Sequence, residues 1–538
     1  MAKRETKAKA GGPASGLRAR PQSAFMRGEQ SPVFAGWRPV LRDASEEVQF
    51  SWTAAASRAI DAIHNSGWLA GAVDQSVALI NGTTLNLVAK PDADSLGWTV
   101  EEVSKWRKIV ETRWESWANS PLECDLGGRM TMGQMAASGL RTWYAAGEIL
   151  AVLPWRERPG AITKTKVQLV PPHRLVQTTL PFERLIQGVR MDGDGLPIAY
   201  RFLVKDQFSG DREIERPARD KFGRPVVIHV FDGAPGQVRG ITPLVPVLKV
   251  VKQYDQLSDA TLTAALIQAI FAATVESTAP TSELLQALQD EGEQNTTQGV
   301  GSPTIDGWLA ARGGWYDETK IDLGIHGKIA HLFPGEKLNF NRSEHPNSTY
   351  EAFAKFLLRE IARCLGITAE TLTGDYSSAT YSSVRIATSE TWPIVLYRRA
   401  AIVGRFMQQV YSAWLEEEID AGRIPYKGGI EAFLNQRAMA TRAEWRGPPK
   451  PTADELKAAK ANEINLRMRV TTRTAIAAEM GEDLEDVDEQ EARENANRDR
   501  LGLDPVVLEN QPAVADEAQD DSEDQPPKKP AREQAAVA

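Results

Sequence analysis

The sequence predicts an α+β protein that is mostly helical, on three observations. Apolar residues recur at helical spacing over several long stretches, at 53–80, 99–117, 132–147, 347–365 and 384–421. Between about 149 and 231 the apolar period shortens towards two, the pattern of half-buried strands. The composition, 42% hydrophobic and 25% charged over 538 residues, is that of a folded chain too long for one core, so two or more structural units are expected.

Taken in order, residues 1–30 are rich in Ala, Gly, Pro, Lys and Arg and are set apart as a disordered arm. A helix follows over 53–80, with Ile60, Ile63, Val73, Val77 and Ile80 near helical spacing and a break at Gly67 and Gly71. Asn81-Gly82 turns the chain into a short strand at 84–88. Thr99 and Glu102 then form a capping box, and Val103, Trp106, Val110, Trp114 and Trp117 share one helical face, which reads as core or subunit interface. A helix at 132–147 leads into the apolar run 149–153.

Strands are expected at 167–170, 187–191, 198–204 and 226–231. The glycines of Asp192-Gly193-Asp194-Gly195 suit a tight hairpin, and the segment has too few oxygen ligands for a calcium loop. From 246 to 279 no further Pro or Gly interrupts a run of helix formers, a predicted helix of roughly 50 Å at 1.5 Å per residue. Its second half is apolar on nearly every side and needs neighbours all round. A glycine-rich stretch runs to 334, and a helix over 347–365 is capped by Gly366. Next come a polar loop at 371–383, a helix over 384–421 kinked at Pro393, a helix opened by a Thr452/Glu455 capping box, and one over 472–480. Residues 505–538 form an acidic, Pro-rich tail.

Several chemistries are missing. No Gly-x-x-x-x-Gly-Lys-Ser/Thr phosphate loop, Gly-x-Ser-x-Gly elbow, His-Glu-x-x-His pair or Cys-x-x-Cys is present. Cys124 and Cys364 stand far apart, which suits a reducing cytoplasm. Among the six histidines only His326 and His331 are close, and at that spacing they do not share a helix face. The acidic group from Glu482 to Glu489 reads as a solvated helix end. No export signal is visible, and the longest apolar stretch, 260–275, falls short of the roughly 20 residues of a membrane span. The expectation is a non-enzyme without cofactor, metal or membrane partner. The net charge of −9 has the wrong sign for gripping a phosphate backbone over a large surface.

Three segments carry a resemblance: Gly236-Gln237-Val238-Arg239-Gly240-Ile241-Thr242-Pro243-Leu244 ahead of the long helix, His345-Pro346-Asn347-Ser348, and Leu372-Thr373-Gly374-Asp375-Tyr376-Ser377 with Tyr381-Ser382-Ser383-Val384-Arg385. In this order they resemble the lambda-type family of tailed-phage portal proteins over roughly 30–500. Taken alone, Arg239-Gly240 also reads as a turn with a surface ion pair.

The resemblance implies a ring of about twelve copies at one capsid vertex, conducting double-stranded DNA in packaging and ejection. It implies a wing at 31–244, stem helices at 245–279 and 346–367, a clip at 280–345, a tunnel loop at 368–383, further wing helices at 384–450 and a helical crown at 451–504. Implied partners are the terminase large subunit, the head-tail adaptor, and the major capsid and scaffold proteins, in a virion component made in the host bacterial cytoplasm. Thr373, Asp375, Tyr376, Ser377, Ser378 and Tyr381 become candidates for brushing DNA in the channel; alternatively the loop only joins helices and its tyrosines pack between subunits. Trp308, Trp315 and Tyr316 are candidate clip anchors for a partner, or pack within the clip. Twelve such chains carry about −108, which repels a passing polyanion rather than trapping it. The rivals are another connector ring, commonly a shorter chain, and a packaging nuclease or ATPase, whose motifs are missing.

Overall fold

The computed structural model describes residues 39–205, 210–270, 273–277, 314, 336–340, 350–377, 379–452 and 454–503, with backbone alone at 267–270, 273–277, 336–340 and 381. The chain separates into two compact units, Met1–Ala453 and Asp454–Ala538.

The first unit opens on α1 (Ala44–Asn65) and α2 (Gly67–Asn81), parted by the extended Ser66. The helix expected from 53 thus starts at Ala44, where Glu46 and Glu47 in the first turn suit the positive end of the helix dipole. β1 (Asn86–Ala89) pairs antiparallel with a strand at Ala443–Arg446, so the two ends of this unit are stitched together. After α3 (Ala93–Leu96), α4 (Val100–Ala118) carries the expected capping box between Thr99 and Glu102. Its tryptophan face is core. Trp114 is buried with its ring centroid 5.1 Å from Trp117, 5.2 Å from Trp414 and 5.6 Å from Trp445. Beyond α5 (Pro121–Cys124), α6 (Met132–Ala146) ends at Gly147, whose φ of 89° only glycine adopts easily.

The sheets are antiparallel. β2 (Glu148–Val152) lies between β3 (Gln168–Leu169) and a strand at Val227–Phe231, while β4 (Leu185–Ile186), β5 (Val189–Met191), β6 (Pro197–Val204) and β7 (Arg212–Pro217) form a meander. β8 (Val227–Phe231) completes the first sheet. β7 escapes an apolar-period search because it is charged and largely exposed, and its Glu215 pairs with Arg190 at 2.8 Å and Arg201 at 3.3 Å. In the Asp192 hairpin the carboxylate accepts from the amides of Asp194 and Leu196, and of its two glycines only Gly195 has positive φ.

The long helix expected over 246–279 is shorter. α7 spans Val245–Ile270, about 39 Å at 1.5 Å per residue, and β9 (Ala273–Ser277) pairs antiparallel with β10 (Glu336–Phe340). The β-branched Thr274 and Val275 suit a strand, and a partner far along the chain overrides the absence of a helix breaker. α8 (Tyr350–Leu365) ends in a Schellman turn: Gly366 has φ 68°, and the amides of Gly366 and Ile367 donate to Arg363 and Ala362. α9 (Ala369–Thr373) is followed by α10 (Tyr381–Arg398), a π-helical turn at Arg399–Gly404 and α11 (Arg405–Asp420). Pro393, expected to kink the helix, lies inside α10, and the departure from α-helix comes only at the π turn. Two adjacent arginines there bind the carbonyl ends of two helices. Arg398 donates to Leu365 and Cys364 at the end of α8, and Arg399 to Leu79 and Ile80 at the end of α2. α12 (Gly429–Ala440) and β11 (Ala443–Arg446) close the unit.

The second unit has α13 (Glu455–Arg467), α14 (Arg473–Glu479) and α15 (Leu484–Leu501). Asp454, not Thr452, caps α13, its side chain accepting from the Lys457 amide. The acidic group at 482–489 is the solvated helix end that was expected: it opens α15, largely exposed, with Asp483 as cap and Arg498 and Arg500 in the last turn. None of the three helices has a buried residue. No helix among the described residues is long and apolar enough to cross a membrane.

Candidate functional site

Two of the singled-out segments fold into polar clusters of opposite character. The first gathers around Glu148, the opening residue of β2. Pairing across β2 and β8 sets Glu148 opposite Phe231 and so puts His229 on the same face, one diagonal step away. Nε2 of His229 lies 2.8 Å from Oε2 of Glu148. Arg239 comes in from the segment ahead of α7: Nε lies 3.0 Å and Nη2 2.5 Å from Oε1 of Glu148.

Two further guanidinium hydrogens are used as well, with Nη1 donating to the Gln187 carbonyl and Nη2 to that of Pro172, each at 3.1 Å. The guanidinium stacks over Trp52 of α1 at 4.9 Å. Both side chains of the pair are 0% exposed, so the reading of a turn with a surface ion pair is overturned. Burial pushes the Glu148 carboxyl up; the Arg239 charge and the His229 hydrogen bond outweigh it and hold the group at about 2.

Gln237 and Gly240 serve this cluster. The Gln237 side chain accepts from the Ala234 amide and donates to the Arg239 carbonyl at 2.6 Å, which shapes the turn that delivers Arg239. The Gly240 amide donates to Glu148 at 3.1 Å, and a Cβ there would stand 2.1 Å from the Gly147 carbonyl oxygen. Arg239 therefore joins α1, the β3–β2–β8 sheet, the β4–β7 meander and the entrance to α7. It is a clamp inside the fold, out of reach of a ligand.

The second cluster is on the surface and smaller than expected. Thr371–Thr373 belong to α9 and Tyr381–Ser383 to the first turn of α10, so the loop proper is 374–380. Gly374 closes α9 at φ 66°, and the Thr373 hydroxyl accepts from the Asp375 amide. Asp375 then organises the rest of the loop. Its Oδ1 accepts from the amide and hydroxyl of Ser377, at 3.0 and 2.6 Å, and its Oδ2 meets Nζ of Lys355 on α8 at 2.9 Å. The Ser377 hydroxyl and Lys355 hold the carboxyl well below the usual range. Thr380 caps α10 in a box with Ser383. Tyr376 is 52% exposed, and Arg385 is exposed near the start of α10.

The structure thus brings Asp375, Tyr376 and Ser377 into one loop directly after Thr373 at the end of α9, and gathers Gln237, Arg239 and Gly240 around Glu148. Ser378, His345, Pro346, Trp308, Trp315 and Tyr316 lie outside the described residues, as does the side chain of Tyr381. Sequence reasoning missed Glu148, His229, Gln187 and Lys355. The available signal was a glutamate opening one apolar strand and a histidine inside another. Among the described residues no three His, Cys, Asp or Glu side chains converge as metal ligands.

A sequence model described as phage portal protein, lambda family, matches residues 30–399. Portal protein B of Escherichia phage lambda is 26% identical over 478 residues, covering 87% of this chain and 88% of its own length. The portal protein of Escherichia phage N15 is 27% identical, covering 87% of this chain and 89% of its own length. Among solved structures, one described as the neck of an empty gene transfer agent particle aligns over 83% of this chain and 96% of its own, at 14% identity and a TM-score of 0.40. The family match takes in both the Arg239 cluster and the Asp375 loop, and on it the chain belongs to the lambda family of phage portal proteins.

Proposed function

We propose that copies of this chain close into a ring at one capsid vertex and that double-stranded DNA passes through the ring in packaging and ejection. The observation that carries this reading is the family match, joined by portal relatives aligned over nearly their whole length. The surface of the single chain supports it. Leu262 and Leu266 on α7, Phe353 and Phe356 on α8 and Ile386 on α10 are each more than half exposed. Such residues gain about 25 cal/mol for each Å² taken out of water, which neighbouring copies of the same helices would supply.

In this reading α7 and α8 are the stem, residues 280–345 the clip, 374–380 the tunnel loop, the sheets other than β9–β10 and α1–α6 with α10–α12 the wing, and α13–α15 the crown. The loop meets DNA through Tyr376 and short hydroxyl side chains, while the chain's net acidity keeps the contact weak. The protein itself catalyses nothing. The packaging ATPase, a terminase large subunit, docks on the clip and is later replaced by the head-tail adaptor, in a virion component assembled with capsid and scaffold proteins in the host cytoplasm.

Negative-stain microscopy of the purified chain tests the ring: closed rings with a central hole are expected, and a monomer at every concentration overturns the reading. The loop is tested by Tyr376→Gly, for which normal rings with a reduced packaging rate are expected. An unchanged rate removes the DNA-contact role and leaves the loop as a connector.

A further inference from the structure

We propose that residues 31–38 of the same chain, Ser-Pro-Val-Phe-Ala-Gly-Trp-Arg, occupy an apolar groove of about 730 Å³ between α1, α6 and the β2–β3 sheet. The groove is lined by Ala56 and Ile60 of α1, Gly139 and Ala145 of α6, Ile149 of β2 and Val170 beyond β3. At its rim Asp74 and Arg141 neutralise each other at 2.9 Å. Burial lowers the pKa of His173, which keeps that ring neutral at pH 7. The groove therefore offers shape and apolar surface and little charge to select an ionic ligand.

Several features point to the chain's own N-terminal segment. The described chain begins at Pro39, just before α1, and Arg42 lies over the Phe50 ring at 5.2 Å. Phe50 is the i−3 and i−7 neighbour of Thr53 and Ser57, both on the groove edge, so the incoming chain is held on the groove side of α1. Reach is ample: the groove follows α1 from Trp52 to His64, about 18 Å at 1.5 Å per residue, and eight extended residues span up to about 26 Å. Within the segment Val33, Phe34 and Trp37 supply apolar bulk, each aromatic ring hiding about 150–250 Å² when buried. Trp52 closes the near end of the groove. The family match also begins at residue 30, taking in this segment and leaving out the arm before it.

The test uses the full-length chain carrying Ala35→Cys with Ser57→Cys. Oxidation is expected to give an intra-chain disulfide that runs as a single chain on a non-reducing gel. A link between chains assigns the groove to a second copy and overturns the proposal. Hydrogen exchange provides a readout that needs no cysteine. In Phe34→Ala/Trp37→Ala, amides of 52–64 and 139–146 are expected to exchange about tenfold faster, with the rest of the wing unchanged. Unaltered exchange overturns the docking, as does an apolar dye that binds the intact chain as well as one lacking residues 1–38.

Discussion

Glu148–Arg239 and Asp375–Lys355 are both carboxylate–cation pairs, and each has one member, Arg239 or Asp375, in a segment that carried the family resemblance. The first pair is 0% exposed on both sides and the second 36% on both. Burial changes what the same chemistry does. In the interior, a lone carboxylate or guanidinium has no water to turn to, so all three nitrogens of the Arg239 guanidinium are committed to acceptors and each partner is indispensable to the other. At the surface, water replaces either partner of the Asp375 pair at little cost, and the contact chooses a loop conformation without underwriting the fold. This chain thus uses one ion pair as a rivet and another as a guide.

The sharpest way to break this contrast is Arg239→Ala, which strands a buried carboxylate. We expect about 3–5 kcal/mol of destabilisation in urea unfolding, much of it recovered when Glu148→Gln is added. A loss no larger than that of a surface pair would place Arg239 outside the core. Gly240→Ala comes next, because its Cβ meets the Gly147 backbone at 2.1 Å; about 1–3 kcal/mol is expected in the same measurement.

Acid tests the buried pair without mutation. Glu148 titrates lower when folded, at about 2, than its ordinary 4.5. Its contribution is therefore complete above about 4.5 and is lost as the pH falls from there towards 2. Urea midpoints measured across that range should fall more steeply in the native chain than in Glu148→Gln. The smallest effect on stability belongs to Lys355→Met: the melting temperature is expected to hold while amide exchange in 374–380 quickens. A substantial drop in melting temperature would make the loop part of the structural core.

Much of the architecture was legible because it rests on local signals. The Thr99/Glu102 box, the stop of α8 at Gly366 and the tryptophan face of α4 each follow from residues within a few positions of one another. The failures share a cause. β9, β10, β11 and β7 depend on partners, distant or charged, that no local period reveals, and the last part of the expected 246–279 helix, at 273–277, gave way to one of these pairings. Thr452 lost the cap of α13 to Asp454 because two good capping residues stood two positions apart.

The candidate residues divide in the same manner. Sequence pattern marked Gln237, Arg239 and Gly240 as a unit but could not tell a surface turn from a buried clamp, since Glu148 and His229 arrive from other strands. By itself the sequence determined those helix ends that carry a clear cap, the mixed class and the family, because capping, periodicity and motif order are written in consecutive residues. Only the tertiary structure decided which charges lie inside, because burial belongs to what packs around a residue, and here the packing is supplied by chain segments that the sequence keeps apart.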